Sequence, residues 1–151
     1  MSGDNYYMQG TNNTPKIDFN GVTGELLLEG RSIPSNSIGV YGEAYEWITR
    51  YAEDPRPTTN FRMNLDYFNT SSVIWISKMI KVLSNMEFPD YTLMLYVYLD
   101  IEDVVELDPQ DVVDLLTPMF DFNKEPTVNL CIKLCGLDSN GKVIKESDVL
   151  L

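Results

Sequence analysis

Four consecutive residues, Asn69-Thr70-Ser71-Ser72, set three hydroxyls beside a carboxamide. A serine or threonine hydroxyl does chemistry in two ways. It attacks an acyl or phosphoryl centre when an adjacent base takes its proton, or it receives a phosphate from another enzyme. The first way needs a base, and the chain contains no histidine. The commonest general base, nucleophile activator and metal ligand is therefore missing. The second way needs only a presented hydroxyl. Asn, Thr and Ser are also the favoured helix N-caps, so the cluster has a purely structural reading as well, in which it caps a helix and does nothing more.

Two other groups of residues invite chemistry. The acidic run Asp100, Glu102, Asp103, Glu106, Asp108, Asp111 and Asp114 could hold Mg²⁺ or supply a carboxylate pair. Its spacing matches no EF-hand loop, and no glycine stands where that loop turns. A solvated acidic loop and helix face that meets a basic partner, or repels a wrong one, is the reading charge runs favour. Cys131 and Cys135 lie four apart in a strand-like segment and so share a face. A disulfide or two-thiolate site is conceivable, but a zinc site normally takes four ligands, and a pair of small, partly buried hydrophobes is the simpler expectation. No metal and no cofactor are expected.

The hydroxyl cluster must be positioned by the elements on either side. Asn60 to Tyr67 alternates strictly, with Phe61, Met63, Leu65 and Tyr67 on one face and Asn60, Arg62, Asn64 and Asp66 on the other, which predicts a strand. Val73, Ile76, Met79, Ile80 and Leu83 then recur as a helix stripe. The cluster thus sits between the carboxyl end of a strand and a helix N-terminus, where backbone N–H groups are unpaired and the dipole favours an anion. In open α/β sheets ligands and modifications sit at that edge. Trp75 falls between stripe positions, on the helix flank. It either anchors a partner or packs against a neighbouring helix.

Upstream, Lys16 to Asn20 and Glu25 to Gly30 read as a hairpin around Asn20-Gly21 and Gly24. Arg31 to Ser37 is a loop, because Pro34 blocks a helix and the Ser/Asn cluster offers caps. A helix then starts near Ser37 or Ile38 and buries Val40, Ala44, Trp47, Ile48 and Tyr51. Downstream, Tyr91 to Leu99 is apolar on both faces and reads as an interior strand. A helix is expected from Pro109. Thr127 to Leu134 alternates as a strand, and Asn140-Gly141 turns it into a terminal hairpin, an extension spanning 127–147. Residues 1–13 are polar and read as a flexible tail without the basic and apolar regions of a signal peptide. Residues 14–151 form a single α/β domain. The order β-β-α-β-α-β-α-β, with room for one more strand, contains parallel crossovers. Right-handed crossovers predict a two-layer α/β sandwich, a mixed sheet with helices mainly on one face. Anti-sigma-factor antagonist (STAS-like) domains are broadly similar.

The 11 Lys and Arg against 23 Asp and Glu give a formal charge of -12. No basic cluster is present to neutralise phosphates, so neither nucleic acid nor an anionic membrane surface is an expected partner. Proteins with basic faces are. The longest apolar runs fall short of the roughly 20 residues that cross a bilayer.

Thr14-Pro15, Gly30-Arg31-Ser32-Ile33-Pro34, Asn36-Ser37, Trp47, Tyr51 and Asp66-Tyr67-Phe68-Asn69-Thr70-Ser71-Ser72 follow one another in that order. In these blocks the chain resembles the SiaC family of bacterial regulatory phosphoproteins, over roughly Thr11 to Leu134. The resemblance implies a cytoplasmic, non-catalytic partner-switching protein. It implies that Thr70, the threonine after the asparagine, is phosphorylated by an anti-sigma-factor-type serine/threonine kinase and dephosphorylated by a PP2C-type phosphatase. It implies too that the unphosphorylated form binds an effector, which in one lineage is a diguanylate cyclase. Asn69, Ser71 and Ser72 would shape the phosphosite. Tyr67, Trp75 and the loop residues Arg31, Ser32, Pro34, Ser35, Asn36 and Ser37 would contribute to the partner surface. The chain departs from the family at Ser35, Gly42 and Tyr96-Val97-Tyr98, none of which touches the phosphosite block. The rival reading is a structural or small-ligand-binding domain of the same shape, in which the cluster only caps a helix.

Overall fold

The computed structural model describes residues 4–120 and 124–149. The first three residues of the expected tail, residues 121–123 and residues 150–151 of the expected domain lie outside the described residues. The elements run β1 (Asn5–Met8), β2 (Lys16–Asn20), β3 (Glu25–Ser32), α1 (Ser37–Tyr51), β4 (Thr58–Phe68), α2 (Thr70–Ser84), β5 (Thr92–Asp100), α3 (Ile101–Glu106), α4 (Pro109–Leu116), β6 (Asn129–Leu137) and β7 (Val143–Val149). One seven-stranded sheet keeps sequence order, β1 to β7. β3 to β6 pair in parallel, and antiparallel pairs close both ends.

Each parallel step moves the chain the same way across the sheet, so right-handed crossovers place every connecting helix on one face. Burial agrees. Ile17, Phe19, Leu26, Leu28, Phe61, Met63, Leu93, Leu95, Val97, Ile132 and Leu134 alternate along their strands and are all buried. They meet Tyr41, Ala44, Ile48 and Tyr51 of α1 and Ile76, Met79, Ile80 and Leu83 of α2. Each such side chain contributes roughly 1.5–3 kcal/mol when withdrawn from water. On the opposite face Arg62 donates to Glu25 (Nε to Oε2, 3.0 Å) and to the Tyr98 hydroxyl (2.8 Å), and stacks over the Tyr96 ring at 4.1 Å. That face is polar and half-exposed. The arrangement is the expected mixed-sheet, two-layer α/β sandwich. Among the described residues no helix is long and apolar enough to cross a membrane.

Three expectations need correction. The tail is not wholly loose, because Asn5–Met8 pairs with Ile17–Asn20 and Tyr6 packs against Phe19 (ring centroids 6.3 Å). Four residues are too few for the alternation to stand out from a polar end. The acidic stretch holds two short helices rather than one, and Asp108 and Asp111 form a capping box at the start of α4. The terminal hairpin is real, with Gly141 at φ +80° in its turn, but its second strand continues to Val149.

The fourth difference bears on the site. Gly30 pairs with Leu65 and Arg31 with Tyr67, so Asp66 is an extra residue in β4. Gly30, at φ +110°, supplies the backbone freedom on the facing strand. The bulge reverses which side chains face inward beyond it. Tyr67, which strict alternation placed with Phe61, Met63 and Leu65, is turned out and is 62% exposed. Phe68 turns to the helix side, where it lines a small apolar cavity with Met63, Leu65, Ile76 and Leu115 while staying 43% exposed.

Candidate functional site

The site is built at the carboxyl ends of β3 and β4, where α2 begins. Asn69 is the N-cap of α2 and Thr70 its first residue. The Asn69 N–H donates to the Ser32 carbonyl at 2.9 Å, and its Nδ2 donates to the Pro34 carbonyl at 3.3 Å. The Arg31 to Ser37 segment therefore lies directly against the helix entry. Asn36 caps α1 by accepting from the Gly39 N–H at 3.2 Å, so both helices start side by side at this edge.

Beneath the entry is a buried chain of hydroxyls. Tyr41 OH lies 2.5 Å from Ser32 Oγ, and Ser32 Oγ lies 2.6 Å from Ser72 Oγ. Ser72 Oγ reaches Asn69 Oδ1 at 2.7 Å and the Ser32 carbonyl at 2.8 Å. Tyr41, Ser32 and Ser72 are fully buried. Each hydroxyl has one proton, so the chain is satisfied when Tyr41 donates to Ser32, Ser32 to Ser72, and Ser72 to an acceptor at the cap. Burial raises the Tyr41 phenol above its ordinary value, and its bonds with Ser32 and Ser72 pull it partly back.

Above the entry the surface is open. Thr70 is exposed and its hydroxyl has no hydrogen-bond partner among the described residues. Ser71 Oγ donates to Asn69 Oδ1 at 3.0 Å. No acidic residue stands in the first turn of α2, so the positive end of its dipole is uncompensated there. Several apolar side chains on the elements that meet at this edge are substantially exposed: Tyr67 and Phe68 at the end of β4, Ile74 on α2 and Ile38 on the first turn of α1. The Arg31 guanidinium lies 5.0 Å over the Tyr67 ring.

The residues anticipated from sequence take different positions around the helix entry. Asn69, Ser71 and Ser72 do converge on the helix entry. Arg31, Ser35, Asn36 and Tyr67 are exposed at its rim, with Ser37 half-exposed at the start of α1, whereas Ser32 and Pro34 are buried and brace it from within. Trp75 packs edge-on against Tyr45 of α1 (5.9 Å), with Lys78 Nζ 4.6 Å over its ring, and stays half-exposed on the helix flank. Tyr41 was missed, although Tyr41, Ala44, Ile48 and Tyr51 share helical spacing that could have marked it as inward. Phe68, Ile74 and Ile38 were missed because single exposed apolar residues leave no periodic signal.

The other groups lie elsewhere. Cys131 is exposed and Cys135 buried, both free, on the face away from the helices. Burial and the nearby Glu146 raise the Cys135 thiol. Among the described residues no group of three or more Cys, Asp or Glu side chains is placed to hold a metal ion.

Known proteins share this fold and part of this sequence. The chain is 32% identical over 81 residues to an uncharacterized Pseudomonas aeruginosa protein, a match covering 54% of this chain and 62% of that relative's length. It superposes on apo-SiaC from Pseudomonas aeruginosa with a TM-score of 0.63 at 24% identity, over 84% of this chain and 98% of that one. It superposes with a TM-score of 0.65 at 22% identity on a chain from the structure of Pseudomonas aeruginosa diguanylate cyclase SiaD in complex with its activator SiaC, covering 84% and 98%. These likenesses establish the shared fold. The model of the SiaC family regulatory phosphoprotein matches residues 8–107, a span that holds the whole site, and the chain belongs to that family.

Proposed function

We propose that this chain is a non-catalytic protein-binding switch set by reversible phosphorylation of Thr70. A serine/threonine kinase of the anti-sigma-factor type adds the phosphate and a PP2C-type phosphatase removes it. The unphosphorylated form binds an effector of the diguanylate cyclase class, in the cytoplasm and in the manner of anti-sigma-factor antagonist domains. The observation that carries this reading is the setting of Thr70: an exposed, unpartnered hydroxyl on the first residue of α2, at a sheet edge whose elements also expose Tyr67, Phe68, Ile74 and Ile38. Exposed apolar side chains on these elements suit a protein interface, and a charge added to a hydroxyl at the same edge would alter docking there.

The mechanism is local. The phosphate brings about -1.5 to -2 charge and a hydrated group to a surface that must shed water on docking. Burying it against an effector without a matched cation costs several kcal/mol, enough to weaken binding a hundredfold or more at about 1.4 kcal/mol per tenfold. Titration of the effector at fixed salt tests this. Unphosphorylated chain and Thr70→Ala should bind, Thr70→Asp should bind less well, and the phosphorylated chain should not bind. Tighter binding by the phosphorylated form would reverse the sign and point to a partner that reads the phosphate with an arginine cluster.

A further inference from the structure

We infer that the Asn69 side-chain oxygen selects which hydroxyl in Thr70-Ser71-Ser72 can be phosphorylated; the inference rests on Thr70 being the acceptor proposed above. Three hydroxyls stand in a row at one helix entry, and chemically they differ little. Their surroundings differ a great deal. Asn69 Oδ1 accepts from the Ser72 N–H at 3.0 Å and from Ser71 Oγ at 3.0 Å, and Ser72 Oγ lies 2.7 Å from it. One oxygen thus engages both competing hydroxyls and the backbone donor that orders the first turn.

That oxygen is itself held in place. The Asn69 backbone N–H is bound to the Ser32 carbonyl, and the Nδ2 of the same carboxamide to the Pro34 carbonyl. The residue is held at its backbone by the end of β3 and at its carboxamide by the loop leading into α1, and the carboxamide cannot swing away without breaking its bond to Pro34.

Phosphoryl transfer from a nucleoside triphosphate requires a hydroxyl oxygen to attack the γ-phosphorus. The new O–P bond forms as the bond to the bridging oxygen breaks, the nucleoside diphosphate departs, and the hydroxyl proton passes to a base on the kinase. Ser72 cannot meet an incoming phosphorus because it is fully buried. Ser71 would have to give up its bond to Asn69 before its proton could pass to a base. Thr70, exposed and unpartnered, has neither obstacle. Selection therefore works by withholding the neighbours as much as by presenting the threonine.

The test is phosphopeptide mapping of the chain and its variants purified from the native cell. Glycine is a tolerated N-cap without a side-chain oxygen, so Asn69→Gly removes the acceptor while leaving a foldable entry; equal melting curves check this. Asn69→Asp keeps an acceptor oxygen, replaces the amide donor with a second oxygen and adds one negative charge. In the unaltered chain the phosphate should lie on Thr70. In Asn69→Gly the share on Ser71 should rise about tenfold, the factor that one net hydrogen bond is worth. In Asn69→Asp it should remain on Thr70. The readout is a ratio of sites, which a general loss of yield does not move. Phosphate confined to Thr70 in Asn69→Gly, or spread to Ser71 in Asn69→Asp as well, overturns the role of the oxygen while Thr70 stands as the acceptor. An unaltered chain that carries its phosphate elsewhere, or none, overturns the acceptor assignment and this inference with it.

Discussion

The Tyr41 hydroxyl lies 2.5 Å from Ser32 Oγ, and both residues are fully buried; through that contact α1 is bonded to the end of β3, which is itself hydrogen-bonded to the α2 entry at Asn69 and Ser72. Tyr41 heads the chain as its donor, and Ser32 sits in the middle, receiving one proton and passing on another. Removal of the middle member should cost more than removal of the head. Ser32→Ala removes the phenol's 2.5 Å partner and the hydroxyl that bridges it to Ser72 and should lose about 1–3 kcal/mol, whereas Tyr41→Phe removes a donor alone and should lose about 0.5–1.5 kcal/mol. The two losses should also be non-additive, since the residues share one network. Urea unfolding of both single variants and the double variant checks this; equal and additive losses would show that the hydroxyls act independently.

Alkaline stability follows from the same phenol. Its folded value is raised above the ordinary 10.0, chiefly by burial. As pH climbs past about 10 the unfolded tyrosine gives up its proton while the folded one keeps it, so the folded state binds more protons and stability falls with rising pH. Below the ordinary value both states are protonated and the group contributes no slope. Tyr41→Phe should therefore flatten the loss of stability between about pH 10 and 11 by up to about 1.4 kcal/mol per pH unit. Urea midpoints at pH 8, 10 and 11 measure it, against a background that includes Tyr98, which burial also raises. Parallel curves for variant and unaltered chain would mean that Tyr41 ionises in the folded state as readily as in the unfolded one.

Most of the framework was legible because it is written in strong periodic signals. Phe61, Met63 and Leu65 alternate, Val73 to Leu83 follow a helical stripe, and the crossover rule then allows only one layer arrangement. The helix entry was legible as well, since Asn-Thr-Ser-Ser after an alternating strand has few other structural uses. The bulge at Asp66 was not, because inserting one residue leaves both flanking segments with an intact alternating pattern. Its consequence, the exchange of faces between Tyr67 and Phe68, could be seen only once β3 and β4 were paired. The hydroxyl chain was hidden for a similar reason: Ser32 and Ser72 are forty residues apart and meet only through the fold. What a single sequence records is the face a residue prefers; which polar atoms share a pocket depends on register.

Phosphorylation should leave the fold standing. The Thr70 hydroxyl has no partner to lose, and the bonds that cap α2 run through Asn69 and Ser72 beneath it. At the helix N-terminus, where no first-turn acid competes, the added anion gains roughly 0.3–1 kcal/mol from the dipole. On a chain already at -12 it also meets general repulsion. The two effects oppose each other at similar size and should leave a net change below about 1 kcal/mol, which for a domain of this length moves the melting temperature by only about 2–4 °C. Scanning calorimetry of phosphorylated and unphosphorylated chain at matched ionic strength measures the difference. Added salt should raise the phosphorylated form slightly relative to the other if general repulsion dominates, and lower it if the dipole does. A phosphorylated chain that loses its cooperative transition would show a switch that works by melting the α2 entry, and docking would then fail through lost shape rather than through the charge at Thr70.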